Sequence, residues 1–294
     1  MKSEADFIVR RKPFARVNRL RYTGGERIKE TYKGYYMEIL RNKKAFICDM
    51  DGVLYHGDRL LPGVPRFVEW LKEKNKQFLF LTNNSGYTPR ELQQKLARLG
   101  IEVDADCFYT SALATASFLA SQYPDCSAYV LGQPGLINAL YNVGITMNSV
   151  NPDYVVVGES YSLNYEMLER ATYLVNKGAR LIGCNSDLTG PTEQGMAPAC
   201  RALIAPIELA TGVSAYFVGK PNPLMMRHAL KRLQSSPADT AIVGDRMDTD
   251  IMAGVEAEID TVLVLSGVTS RDMLVKFPYR PKYVLEGVGD IPEA

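Results

Sequence analysis

Short apolar runs recur along the chain, each closing on polar residues and each followed by a stretch whose apolar positions fall three and four apart. Ala45–Cys48, Gln77–Leu81, a run around Cys107–Tyr109, Ala128–Leu131, Tyr154–Val157, Arg180–Cys184, Ala215–Val218, Thr240–Val243, Thr261–Leu265 and Tyr283–Leu285 read as strands, most of them apolar enough to be covered on both faces. Pro62 opens a helix with Val64, Phe67, Val68 and Leu71 on one stripe, beside Trp70. Thr88 and Glu91 form a capping box ahead of Leu92, Leu96 and Leu99, and Gly100 stops that helix. Further helices are expected over 111–120, after Gln133, Asn164 and Pro198, and through Ile251, Met252, Val255 and Ile259. This alternation predicts an α/β fold with a Rossmann-like parallel-sheet core.

The stretch from about Asp125 to about Ser214 carries its own strand–helix units, enough chain for a second small α/β domain. The expected organisation is an extension over 1–43, a catalytic core built from 44–124 and 215–294, and an inserted cap over 125–214.

Polar residues at the strand ends carry the candidate chemistry, because open α/β sheets bind ligands beyond the carboxyl ends of their strands. Asp49 follows the first run and Asp51 comes two residues later, turned to the same side by the strand period, with Gly52 next. A carboxylate attacks a phosphoryl group when a cation neutralises the gathering charge, which suits Asp49, and a second carboxyl group nearby serves as acid and base, which suits Asp51. A calcium loop is excluded: counted from Asp49, the sixth and twelfth positions hold Leu54 and Leu60 instead of Gly and Glu.

Three later clusters point the same way. Thr82, Asn83 and Asn84 offer hydroxyl and amide donors as a phosphate cradle. Lys220 ends the run Ala215–Val218 in Gly-Lys-Pro, where a Walker loop is ruled out by the missing upstream glycine and by Pro221, but where a lysine can neutralise a nucleophile and a phosphate. Asp245 and Asp250 lie in the run that follows Thr240–Val243, and clustered carboxylates suit Mg2+; Asp245 is the expected ligand and Asp250 a support for a metal water or for Lys220. In the inserted stretch, the polar loop 185–195, with Asn185 and Asp187, is where substrate contacts are expected. His56 is expected to line the cleft. Neither of the two histidines lies near a second His, a Cys pair or a Ser motif, so zinc and serine-hydrolase chemistry have no support.

Charge and composition change this picture only at the edges. Five cysteines without a CxxC spacing read as reduced thiols and a cytoplasmic setting. No apolar run is long enough for a bilayer, so no membrane partner is expected. Residues 1–36 hold ten Lys or Arg against four Asp or Glu. That basic leader is read as an extension, or as sequence upstream of a start at Met37, rather than as an arm for nucleic acid, and no nucleic-acid partner is expected.

Together, the DMDGVL segment at Asp49, LTNNS at Thr82, GKP at Lys220 and GDRMDTD at Asp245 resemble the haloacid dehalogenase superfamily, and closely its NagD-like, p-nitrophenylphosphatase-type branch. The likeness runs from about Lys44 to the C-terminus. It implies an α/β cap on a Rossmann-like core, Mg2+ and an aspartyl-phosphate intermediate. It makes Asp49 nucleophile and metal ligand, Asp51 acid/base and backbone-carbonyl ligand, Thr82 and Asn83 phosphate binders, Lys220 the charge stabiliser, Asp245 the metal carboxylate and Asp250 its support. The leader matches nothing in the branch.

The function expected is a phosphatase of small phosphomonoesters, with nucleoside monophosphates such as UMP the guess drawn from the family. Sugar phosphates and pyridoxal phosphate are alternatives. A phosphotransferase would share the intermediate, and a non-enzymatic phospho-acceptor would have no use for Asp51 or a cap. Homodimerisation through the cap stays open.

Overall fold

The computed structural model describes residues 34–192 and 195–293. Most of the basic leader and two residues of the polar loop at 185–195 therefore lie outside the described residues. Residues 41–294 form one compact unit, and residues 34–40 of the other unit are helical.

The chain enters its first sheet through β1 (Ala45–Cys48), whose four side chains are all buried. A small antiparallel hairpin follows, β2 (Tyr55–His56) and β3 (Arg59–Leu60). The next helix spans Val64–Glu73, two residues later than the Pro62 reading. Gly63 caps it at φ 79°, and Pro65 sits in its first turn, where a missing N–H costs nothing. Its buried face holds Val64, Phe67, Val68, Trp70 and Leu71, with the rings of Phe46, Phe67 and Trp70 packed together. After β4 (Gln77–Thr82) the expected capping box is present: Glu91 N–H donates to Thr88 Oγ1 at 3.3 Å and Thr88 N–H to Glu91 Oε2 at 2.7 Å. Then come β5 (Phe108–Thr110) and the helix Ser111–Gln122.

The middle of the chain builds β6 (Ser127–Leu131), β7 (Thr146–Met147), β8 (Tyr154–Val157), β9 (Arg180–Gly183), the antiparallel pair β10 (Thr189–Thr192) and β11 (Gly195–Pro198), and β12 (Tyr216–Phe217). It closes with β13 (Thr240–Gly244), β14 (Asp260–Val264) and β15 (Tyr283–Leu285).

Two parallel sheets result. The first has the order β15-β14-β13-β1-β4-β5 and the second β12-β9-β8-β6-β7. In the first, the chain builds outwards from β1 on one side through β4 and β5 and returns to its other side with β13. The order reverses between β1 and β13, so the crevice that doubly wound sheets use for ligands opens beside Asp49.

Three sequence expectations are corrected. Ala215–Val218 is not a strand of the first sheet: Tyr216 and Phe217 pair with Ile182 and Gly183 at the edge of the second. An exposed Tyr216 beside a half-buried Phe217 suits such an edge, and only from Val218 is the chain buried again on its way to Lys220. The segment β7 was missed because two exposed residues leave no apolar pattern. The helix expected through Ile259 is a π-helical turn, Met247–Ile251, continued by a short helix, Met252–Glu256; Val255 is exposed on it and Ile259 is buried beyond its end.

Candidate active site

At the carboxyl ends of β1, β4 and β13 the first sheet gathers its acids around one lysine. Lys220 Nζ donates to Asp49 Oδ1 and to Asp250 Oδ1, each at 2.7 Å, with Leu81 O at 3.4 Å. Lys220 is almost fully buried, as are Asp245 and Asp250. Such a charge is tolerable inside a protein only when paired and hydrogen-bonded. Burial works against its ammonium, but Asp250 and Asp49 more than offset this and raise its pKa. Asp250 is committed at both oxygens, since Oδ2 accepts from Arg246 N–H at 3.1 Å.

One ammonium does not balance this cluster. Carboxylate oxygens of Asp49, Asp245 and Asp250 lie within 4.8 Å of one another. Burial, together with Asp250 and Asp245, pushes the Asp49 carboxyl well up despite Lys220. Burial and then Asp250 lift Asp245 to about 6. Asp245 Oδ2 accepts from Val268 N–H at 2.6 Å, whereas its Oδ1 is buried with no hydrogen-bond partner among the described residues. An orphaned acceptor in a cluster with excess negative charge is what a hard, oxygen-seeking divalent cation would complete, so the donor set fits Mg2+.

Gly52 makes the close approach possible. It stands at φ 78°, and a Cβ there would meet Asp245 Oδ2 at 2.5 Å. The turn it allows brings Tyr55 back to Asp51 through the bond from Gly52 N–H to Tyr55 O, 2.9 Å. Asp51 is half-exposed, apart from the carboxylate cluster. Burial raises its pKa against the pull of Lys95 and His56. His56 stands beside Asp51, with Nδ1 3.7 Å from Asp51 Oδ1 and Nε2 2.8 Å from Ser266 O.

The loop after β4 divides its groups between holding and offering. Thr82 Oγ1 accepts from Asn84 N–H at 3.1 Å, which leaves its own hydroxyl proton free to donate. The side chain of Asn83 is spent: Nδ2 donates to Asp187 Oδ2 and to Lys220 O, both at 3.0 Å, and Oδ1 accepts from Lys220 N–H at 2.8 Å. It pins Lys220. Asn84 Oδ1 accepts from Gly86 N–H at 2.8 Å.

Asn185 and Asp187 reach this loop from the end of the second sheet. Asn185 is fully buried and its Nδ2 donates to Asn83 O and Glu159 Oε1, 2.7 Å each, so its amide ties the loop after β4 to the strand ends of the second sheet rather than facing the cleft. Asp187 holds Asn83 and lies 3.7 Å from Arg246 Nη1; burial raises its pKa, with Arg246 opposing. Sequence reasoning singled out neither Arg246 nor Glu159. Glu159 acts on partners distant in the chain, and Arg246 pairs with Asp248 two residues on, at 2.9 and 3.1 Å, so only its reach to Asp187 is hidden from the sequence.

The clefts measured away from this cluster, of about 190 and 290 Å³, lie among residues 151–153 and 177–180 and between Trp70 and Glu293. Neither contains the acids, and their linings bring together no comparable set of reactive groups.

Residues 46–146 match the family described as haloacid dehalogenase-like hydrolase, and residues 217–291 a second described as HAD-hydrolase-like. The chain is 43% identical over 248 residues to ribonucleotide monophosphatase NagD of Escherichia coli K12, covering 84% of this chain and 98% of that protein. It is 41% identical to dihydroxyacetone phosphatase of Corynebacterium glutamicum, over 85% of this chain and 90% of that one. Among solved structures, 4-nitrophenylphosphatase from Thermotoga maritima superposes with a TM-score of 0.83 at 36% identity, covering 86% of this chain and 97% of that one.

Proposed function

We propose that this chain, which belongs to the haloacid dehalogenase-like hydrolases and to their NagD-like branch, uses Mg2+ and an aspartyl-phosphate on Asp49 to hydrolyse small phosphomonoesters. The observation that carries the reading is the buried Asp49–Lys220–Asp250 array at the reversal point of the first sheet, beside the orphaned Asp245 oxygen. Asp49 attacks the phosphoryl group. Lys220 balances the charge on nucleophile and phosphate, held in place by Asp250 and by the side chain of Asn83. Thr82 hydroxyl and the main chain at Asn83 bind the phosphoryl oxygens, and Asn84 keeps the loop folded.

Asp51 protonates the leaving oxygen and then takes a proton from the attacking water, roles that suit a carboxyl group held above its ordinary pKa. Asp49, Asp245 and the backbone carbonyl of Asp51 would hold the metal, which supplies charge neutralisation at the transferred phosphoryl group. The second sheet and its loops would act as the cap that chooses the leaving group.

Nucleoside 5′-monophosphates such as UMP stand first as substrates, on the likeness to a ribonucleotide monophosphatase over nearly that protein's whole length. The similar likeness to a dihydroxyacetone phosphatase favours small sugar or triose phosphates as the second reading. Five free thiols fit a cytosolic setting, and no helix among the described residues is long and apolar enough to cross a membrane. Homodimerisation through the cap belongs to the same reading and is tested by sedimentation.

The test is phosphate release with Mg2+ and with EDTA from UMP, other nucleotides, triose and sugar phosphates, pyridoxal phosphate and p-nitrophenyl phosphate. Mg2+-dependent release led by UMP supports the reading. Preference for a triose phosphate moves the substrate to the second reading, and release that is indifferent to EDTA contradicts the metal.

A further inference from the structure

The loop that would bind phosphate is gripped from the second sheet by a carboxylate for which the proposed chemistry has no use. Glu159 follows β8. Its Oε2 accepts both from Ser85 N–H, at 2.8 Å, and from the Ser85 hydroxyl, and its own N–H donates back to Ser85 Oγ at 3.0 Å. Its Oε1 accepts from Asn185 Nδ2 at 2.7 Å, and the same amide reaches Asn83 O. The charge of Glu159 is thus met by three N–H and O–H donors, two of them on side chains that are fully buried. Gly158 has no room for a side chain, since a Cβ there would run into Ser85 Oγ. A second tie, Gly135 N–H to Gly86 O at 3.0 Å, fastens the next residue of the loop.

We infer that Glu159 is a positioning residue for phosphoryl binding: it fixes Ser85, and through Asn185 the carbonyl of Asn83, so that residues 82–85 hold their phosphate-binding shape only when docked on the second sheet. Only Asn83 and Asn84 separate Thr82 from Ser85, so a loop released at one end does not keep the other in place. The second sheet therefore contributes to binding the phosphate itself as well as to selecting what is attached to it. The inference rests on the phosphatase reading above.

The experiment compares full-length wild type with Glu159→Ala, Glu159→Gln and Ser85→Ala. It measures KM and kcat for p-nitrophenyl phosphate, the affinity for inorganic phosphate by calorimetry with Mg2+ present, and Tm. Because substrate and product share the loop, KM and the phosphate Kd of Glu159→Ala should rise together by about ten-fold, the worth of one or two hydrogen bonds to a charged group, with a smaller fall in kcat.

Glu159→Gln keeps an acceptor oxygen for Ser85 and should recover most of the affinity. Ser85→Ala, which loses only the hydroxyl, should show a smaller rise and serves if Glu159→Ala does not fold. Leu174→Ala, a buried change in the core of the second sheet, is the control for lost stability alone. Phosphate affinity within two-fold of wild type in Glu159→Ala and Ser85→Ala overturns the inference, as does an equal loss in a Leu174→Ala protein of matched Tm. Wild-type turnover tests the phosphatase reading separately, because phosphate affinity is read without it.

Discussion

The two parallel sheets share an architecture and use their carboxyl edges in opposite ways. The first ends its strands in Asp49, Thr82 and Asp245, with Lys220 inserted among them. The second ends β8 in Gly158 and Glu159 and β9 in Cys184 and Asn185, and these dock on the loop after β4. One edge assembles excess charge for a ligand; the other satisfies every carboxylate oxygen of Glu159 with protein donors. A parallel sheet supplies the site's location, and the residues at its strand ends decide whether that location reacts or fastens.

The strongest way to break this contrast is to remove the reacting groups of the first edge. Asp49→Asn should lower turnover on the order of 10⁴-fold, as losses of a nucleophile do, while Tm changes little or rises because a buried, poorly balanced carboxylate is gone. Steady-state phosphate release and thermal unfolding check both halves. Lys220→Met should be harmful twice. It leaves Asp49 and Asp250 without their cation, costing about 3 kcal/mol of stability, and lowers kcat by about a hundredfold.

Metal removal sharpens the comparison through pH. Asp245 is lifted to about 6 from an ordinary value of 3.8, so the folded protein binds that proton more tightly than the unfolded chain does. Its contribution to stability is therefore full below the unfolded value and is lost as pH rises through about 6. Metal-stripped protein should lose Tm between about pH 4 and about pH 6, and the gain from added Mg2+ should be larger above that window than below it. A Tm gain independent of pH contradicts the assignment of Asp245 as ligand.

Changes at the docking edge should be milder. Gly158→Ala forces a methyl group against Ser85 and should cost about 1–3 kcal/mol, read as a lower Tm. The smallest effect is expected from Arg246→Ala. Its guanidinium sits 3.7 Å from Asp187 and is partly exposed, so the pair is worth about 1 kcal/mol or less and kcat/KM should stay within a few-fold.

The division between edges also explains how much could be read without the structure. Asp49, Thr82, Lys220 and Asp245 were legible because each sits in a local polar run beside an apolar one, and the three strands β1, β4 and β13 that carry three of them announce themselves by short unbroken apolar runs. Glu159 and Ser85 lie 74 residues apart, and Asn185 and Asn83 lie 102 apart. Neither pair leaves a period in the sequence, so Asn185 looked like a substrate contact and Glu159 like nothing. Tyr216 and Phe217 were assigned to the wrong sheet for a related reason: a two-residue edge strand is defined by its partner, here Ile182 and Gly183, and its own pattern cannot name that partner.

The most direct test of the central claim is to trap the intermediate. The Mg2+-loaded protein is mixed with p-nitrophenyl phosphate, quenched in acid within the first turnovers, reduced with borohydride and digested for mass spectrometry. An acyl phosphate on Asp49 predicts that the peptide spanning Ala45–Tyr55 carries homoserine at position 49 and that Asp49→Asn carries none. Phosphate release at the wild-type rate with no reduced residue at that position, or with the reduction at another aspartate, would contradict the account.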